Sequence, residues 1–445
     1  MRFKIDKQTE LTREIISEYI MKHQQAIKSR FKRLKDAYNG YYDIYNQPAK
    51  PLGKPDNRVA TPFAKYITDT FTGFFNGIPL EVKHDDKKVI NFVDNFNDEN
   101  NTIDLDYELI KDACIFGHGA ELIYQDEQGN TKVAQVSPMN TFVVYSNDIE
   151  KQPVFGVYYN YSKAESNFIG NVYTKENVYS FEGSGYTIDN LTLEYENVYG
   201  EVPINEYDFN KERQGIFEQE LSMMNTYNKT MSDKANDIAY FSDAYLSVLG
   251  AELKDEDFER IRDSRIINLT PALEDSQAKI EFLGKPDADT SQEHLLERLK
   301  DDIFNSSMVA NISDDDFGNA SGISLRYKLL AMENLAKTVE RNITKALKRR
   351  YKLAFSLETN LPTAQSDMWK ALTFVFKRNL PINILDEAQT LQALDGQVSD
   401  ETKLEQASFI SDAQTELKRM EEEEKKLIET PNFYQDKEVM NDEEQ

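Results

Sequence analysis

A single cysteine in 445 residues, Cys114, leaves no partner for an intramolecular disulfide and no thiolate cluster for zinc. Four histidines, at 23, 84, 118 and 294, are too scattered to suggest a metal site. No stretch approaches about 18 uninterrupted apolar residues, so no membrane-spanning helix is expected. The opening MRFKIDKQTELTREI has neither an apolar core nor a small-residue cleavage site, so no secretory leader is expected. Positive charge is scarce: 52 Lys and Arg face 78 Asp and Glu, a net of −26. That balance excludes the overall basic character of an ordinary duplex-DNA binder. Also missing are a Walker A loop, a phosphate-cradling glycine motif and the local signatures of nucleophilic hydrolases. No cofactor is implied, and a cytoplasmic compartment fits these absences.

What is present is a packed-core composition, 40% hydrophobic and 11% aromatic, in a chain long enough for several domains. Residues 11–45 read as helix, with Leu11, Ile15, Ile16, Tyr19, Ile27, Phe31, Leu34 and Tyr38 at helical spacing. A Pro-rich loop follows at 46–58. A helix from Pro62 to Phe75 ends at Gly77, and two more are expected at 87–97 and 104–116. From 121 to 199 the period becomes two, predicting a β-meander that opens with a hairpin turning at Gly129–Asn130.

Residues 216–249 contain no Gly or Pro, and Phe217, Met224, Met231, Ile238 and Tyr245 recur every seven positions. This seam predicts one helix of roughly 50 Å that packs on copies of itself or on a second long helix. Residues 250–288 are mixed, with RIINL and KIEFL as a strand pair. Thr290 and Glu293 have capping-box spacing at the start of a helix ending near Val309. ANISDDDFGNASG (310–322) is the densest breaker segment, and a third long helix runs from Ile323 to about Phe355. From 381 to 445 there are 18 Asp and Glu against 6 Lys and Arg, with Ser399 placed to cap a helix carrying Leu404, Ala407, Ile410, Leu417 and Met420.

Individual motifs add little chemistry. Gly117-His118-Gly119 lies between a helix and a strand, which a turn explains. Asp314, Asp315 and Asp316 lack the alternating spacing and distal Glu of an EF-hand. No catalytic, cofactor-binding or metal residue is assigned. The order of elements is the informative feature: two long helices flanking a small α/β insertion, an acidic glycine-bearing loop, and an acidic helical end.

Segments in that order resemble the portal proteins of long-tailed phages of Gram-positive bacteria. They are FFNGIPLEV (74–82), ACIFGHGAELIY (113–124), VSPMNTFVVY (136–145), GEVPINEYDFN (200–210), YNKTMSDKANDIAYFSDAYLSVLG (227–250), SDDDFGNASGISLRYKLLAMENLAKTVE (313–340), FKRNLPIN (376–383) and VSDETKLEQASFISDAQTELKRMEEEE (398–424). FGNASGISL and RNLPIN…SDET are the most specific of them. The resemblance implies a mainly helical α+β portal fold assembled as a cyclic ring of about twelve copies. Its parts would be a wing (1–215), a first stem helix (216–249), a clip (250–288) and a second stem helix (289–309). A tunnel loop (310–322), a long wing helix with the segment after it (323–380), a helical crown (381–430) and an acidic tail (431–445) would follow. It further implies a channel for double-stranded DNA during packaging and ejection, lined by Asn311, Ile312, Ser313, Asp314, Asp315, Asp316, Phe317, Gly318, Asn319, Ala320 and Ser321. The crown would carry Glu421, Glu422, Glu423 and Glu424. Implied partners are further copies of the chain, a terminase motor, head-completion or adaptor proteins, and the capsid and scaffolding proteins. The place would be the portal vertex of a virion, assembled in the host cytoplasm. The residues alone leave two alternatives: another self-assembling phage head or adaptor protein, and a carboxylate-dependent hydrolase.

Overall fold

The structure, a computed structural model, describes residues 2–51, 54–162, 167–241, 246–249, 279–282, 289–312, 322–379, 384–405, 407, 410 and 413–429. The chain forms two compact units: Met1–Ile312 with Leu329–Asn379, and Ser313–Lys328 with Leu380–Gln445. Helices and mainly antiparallel strands fall largely in separate runs along the chain, an α+β arrangement.

In the first unit, helix α1 (Arg13–Ala26) begins at Thr12, whose side chain accepts the Ile15 amide. The single helix expected over 11–45 is interrupted. A π-helical turn at Ile27–Phe31 precedes α2 (Lys32–Tyr38), and Gly40 at φ 84° ends the run. The extra residue in that turn lets Phe31 enter the core while Arg30 reaches Glu218 with two 2.6 Å bonds. Helices α3 (Phe63–Asn76), α4 (Lys87–Glu99) and α5 (Thr102–Phe116) lie where the periodicity placed them.

The predicted single meander is instead two sheets. Strands β1 (Phe3–Ile5), β5 (Thr141–Ser146), β6 (Pro153–Ser162), β7 (Asn167–Thr174), β8 (Asn177–Ser184) and β9 (Thr187–Glu196) form a six-stranded sheet in the order β1-β5-β6-β7-β8-β9. The expected hairpin, β3 (His118–Gln125) and β4 (Thr131–Val136), leaves it to pair with β10 (Ile204–Asp208). Its turn has Gly129 at φ 81°. The separation follows from strand β5, which is buried on both faces. Phe142 and Val144 pack with α1 residues Ile16, Tyr19 and Ile20, while Val143 packs with Val202 and Ile204 on the other side. A strand covered twice needs a second layer, and the β10-β3-β4 sheet supplies it. The remaining small strands, β2 (Glu81–Lys83) and β13 (Thr373–Val375), pair with each other.

The Gly-His-Gly motif is a packing device. Gly117 sits at φ 83° against the Arg213 carbonyl, and Gly119 lies against the Leu109 carbonyl, where a Cβ would collide. His118 is the first residue of β3, buried beside the Phe31 ring at 5.8 Å.

Three helix expectations are corrected, and that for the third long helix holds. The helix expected over 216–249 is α6 (Leu221–Phe241); Phe217 lies in the turn before it. Residues Leu246–Leu249 are strand β11, paired with β12 (Lys279–Phe282). The β-favouring LSVL run therefore follows its long-range partner rather than the heptad period, and KIEF pairs with it; RIINL (265–269) lies outside the described residues. The next helix, α7 (Asp289–Ser307), includes Thr290 in its body, and Glu293 bonds Lys234 on α6 instead of closing a capping box. The third long helix, α8 (Gly322–Phe355), matches its expected span. In the second unit, helix α9 (Ile384–Leu394) is followed by α10 (Asp400–Glu405) and α11 (Ala413–Glu429). Ser399 does accept the Thr402 amide at 3.3 Å, but the helix it caps is α10 alone, so the single helix expected through Met420 is two.

His23 fastens α1 to the large sheet. Its Nε2 donates to the Pro138 carbonyl at 2.9 Å, so its Nδ1 accepts from the Tyr159 hydroxyl at 2.8 Å. Burial pushes its pKa down to about 4, partly opposed by the bond to Pro138. The neutral ring stabilises the fold fully above the ordinary histidine range of about 6.5, and that contribution is lost as pH falls towards 4. Between pH 6.5 and 5 the wild-type chain is therefore expected to lose stability more steeply than His23→Gln, by up to about 2 kcal/mol of difference. Urea unfolding of the two proteins at several pH values checks this; equal slopes would contradict it.

Candidate functional site

Helices α6 and α7 lie side by side, and each of their faces has a distinct chemistry. The inner face of α6 begins with Leu221 and Met224, both buried, and continues as a polar spine of Asn228, Ser232 and Asn236. These three bond alternate backbone groups of the segment 57–61. Asn236 Oδ1 accepts the Asn57 amide at 2.5 Å, and Asn236 Nδ2 donates to the Asn57 carbonyl at 3.2 Å. Ser232 Oγ accepts the Val59 amide at 2.9 Å and donates to the Val59 carbonyl at 3.1 Å. Asn228 Oδ1 accepts the Thr61 amide at 2.8 Å. The spacings match physically. Four helical residues rise about 6 Å and two extended residues advance about 6.6 Å, so each step along the helix meets every second backbone group.

The outer flank is largely apolar and, among the described residues, partly exposed. A groove between α6 and α7 is lined by Val59, Tyr227, Met231, Ala235, Ile238 and Leu296, with Lys234, Lys300, Glu293 and Glu297 on its rims. Ile238 is 61% exposed and Leu295 of α7 is 44% exposed. Helix α7 buries only a stripe through Leu296, Ile303 and Ser307. Phe304 adds edge contacts to Phe63 at 5.9 Å and Tyr66 at 5.6 Å.

The seven-residue seam thus divides. Phe217 and Met224 are buried within the chain, Met231 is half-buried, Ile238 is exposed, and Tyr245 lies outside the described residues. A seven-residue repeat drifts about 20° per heptad on a straight helix, so the stripe turns away from the body as it advances. The polar spine, spaced by four, takes its place on the inner face.

Residues 17–430 match the family described as phage portal protein, SPP1 Gp6-like. The chain belongs to this family. A portal protein of Bacillus phage SPP1 is 22% identical over 407 residues, which is 86% of this chain and 79% of that one. A portal protein of Clostridium phage phiCD119 is 20% identical over 446 residues, 94% of this chain and 96% of that one. Among solved structures, the neck of an empty GTA particle shows a TM-score of 0.48 at 12% identity, covering 78% of this chain and 90% of the other.

The approach to the glycine-bearing loop lies among the described residues. Helix α7 stops at Ser307, Met308 adopts the left-handed conformation at φ 59°, and Val309 is buried. The Ile312 amide then donates to the Tyr66 hydroxyl at 2.9 Å, and Asn311 is half-buried. The other loop residues named from sequence, Ser313, Asp314, Asp315, Asp316, Phe317, Gly318, Asn319, Ala320 and Ser321, lie outside the described residues. Glu421, Glu422 and Glu423 are exposed on α11, and Glu424 follows in the same helix.

The far end of α8 is anchored by charge. Arg350 is wholly buried, and its Nη2 lies 2.7 Å from both Glu121 Oε2 and Asp106 Oδ1. Burial opposes the guanidinium charge, but these two carboxylates outweigh it and raise its pKa well above the ordinary value. Glu121 Oε1 also accepts from Tyr207 at 2.9 Å and Asn205 at 2.8 Å, so β3, β10 and α8 share one polar cluster. Among the described residues, no group of three His, Cys, Asp or Glu is placed to hold a metal ion, and no helix is long and apolar enough to cross a membrane.

The periodicity reading missed the polar spine, because small polar residues on a helix look like a solvated face. The available signal was their strict four-residue spacing in a helix preceded, far upstream, by a Pro-bounded segment. Each Asn satisfies a backbone amide that would otherwise lose its partner, at a cost of about 1–3 kcal/mol. Asn228→Ala with Asn236→Ala is expected to lower unfolding free energy by roughly 2–4 kcal/mol, while Lys229→Ala on the exposed face changes it by under about 0.5 kcal/mol. Denaturant titration of the three proteins gives the comparison, and similar values throughout would show that the spine carries no stability.

Proposed function

We propose that this portal-family chain closes into a ring of about twelve copies at one vertex of a phage capsid, through which double-stranded DNA enters and leaves. The observation that carries the reading is the α6–α7 pair. Its outer flank leaves Ile238 61% exposed and Leu295 44% exposed beside an open apolar groove, in a chain with a net charge of −26. A heavily acidic protein gains nothing in solution from such a flank, and packing on a neighbouring copy covers it.

In this reading residues 1–215 are the wing, α6 and α7 lie within the stem, and the insertion at 250–288 is the clip that receives the terminase motor and then the head-completion proteins. The loop 310–322 lines the narrow part of the channel, 323–380 returns to the wing, and 381–430 is the crown. The ring performs no covalent chemistry. Duplex DNA carries a negative charge per roughly 1.7 Å of axis, so acidic walls centre it by repulsion and let it slide. The exposed carboxylates of Glu421, Glu422 and Glu423 act in the same sense at the crown.

Native mass spectrometry of the purified chain tests the assembly. A single closed species near twelve copies, seen by electron microscopy as a ring with a central hole, is the expected result. Monomer alone across a wide range of concentration and salt would overturn the reading.

A further inference from the structure

Helix α8 is the most basic element of an acidic chain. Its 34 residues carry nine Lys and Arg against two Glu, a net of +7, whereas the whole chain stands at −26. Both glutamates are taken from within the chain. Arg378 donates from Nε to Glu333 at 3.2 Å and from Nη2 to Glu340 at 2.6 Å. The basic residues near the C-terminal end of α8 turn inward. Arg349 donates to the Ile204 and Val202 carbonyls at 2.8 Å, Arg350 enters the buried cluster, and Lys352 pairs with Glu201.

Three cations point the other way. Lys337, Arg341 and Lys345 fall at i, i+4 and i+8 and are all exposed. Lys337 lies 3.8 Å from Glu333, which Arg378 already holds. Lys345 feels the carboxylate of Asp208, which Arg2 and Arg213 already engage, and among the described residues no ion pair closes on Arg341 or Lys345. Like charges four residues apart destabilise a helix, so within one chain the stripe is a cost. On the same flank, toward the N-terminus, Leu330 is 52% exposed.

We propose that this stripe is an interface with the next copy of the chain, whose carboxylates it pairs with when the ring closes. The inference rests on the ring reading above. Charge complementarity favours this occupant. A ring larger than a dimer joins two different faces of each subunit, and a face with three exposed cations on an otherwise acidic chain supplies one half of such a pair. Leu330 favours a protein surface over a phosphate backbone, which gains nothing from apolar area.

The test compares wild type with Lys337→Glu/Arg341→Glu/Lys345→Glu by native mass spectrometry and sedimentation at low and high salt. Circular dichroism and thermal melting establish that the variant folds, as substitutions at exposed positions permit. The expected result is a wild-type ring and a folded variant that needs at least about tenfold higher concentration to assemble. Carbodiimide coupling of mixed isotope-labelled wild-type chains is expected to join Lys337 or Lys345 to carboxylates of another copy. A variant that assembles like wild type overturns the proposal. If its retention of duplex DNA falls as well, the stripe serves DNA; if nothing changes, it is a solvated face. A wild-type chain that never assembles sinks the ring reading itself, a separate outcome.

Discussion

The hydrogen bonds between the inner face of α6 and the segment 57–61 fix the arrangement on which the other features depend. Asn228, Ser232 and Asn236 take five backbone groups between them. A helix held by apolar contacts alone can rotate or slide, because dispersion and burial are not directional. A ladder of hydrogen bonds at matched spacing sets both rotation and register. With α6 fixed in this way, Ile238 faces outward with Met231 half-buried, α7 lies beside it with Leu296 and Ile303 buried, and the chain leading from Ser307 to Ile312 is placed against Tyr66.

Charge is distributed by the same logic of inside and outside. Buried arginines are matched to carboxylates: Arg350 to Glu121 and Asp106, and Arg213 to Glu206 at 2.8 and 2.9 Å. Such pairs add modestly to stability but penalise any rearrangement that separates them. They join α8 and the chain after β10 to the small sheet. The excess negative charge is left at the surface, and the exposed cations of α8 form a local exception to it.

Much of this was readable in the sequence. The helices at 63–76, 87–99, 102–116 and 322–355 and the β3–β4 hairpin follow from period, turn residues and breakers. What failed was decided at long range. The heptad seam ran through LSVL at 246–249, but a strand at 279–282 claimed those residues. The meander separated because β5 is covered on both faces, which alternation along one strand cannot reveal. The stem seam was legible as a pattern, yet its division into a buried start at Met224 and an exposed end at Ile238 needed the drift of the stripe and the competing polar spine. The family resemblance named the ordered segments, and the family match over 17–430 agrees with it. The loop residues from Ser313 to Ser321 lie outside the described part of the chain.

The central claim is that the outer flank of α6 is covered by another copy. The chain suits a direct measurement, because its one cysteine, Cys114, is buried with its thiol pushed up to about 12 by burial and reacts negligibly in the folded state. A cysteine introduced by Ile238→Cys therefore reports alone. Its rate of thiol labelling should be at least about tenfold slower in the assembled protein than in dissociated, folded subunits, while a cysteine introduced by Lys229→Cys on the exposed face serves as reference. Equal labelling of position 238 in both states, relative to that reference, would contradict the account.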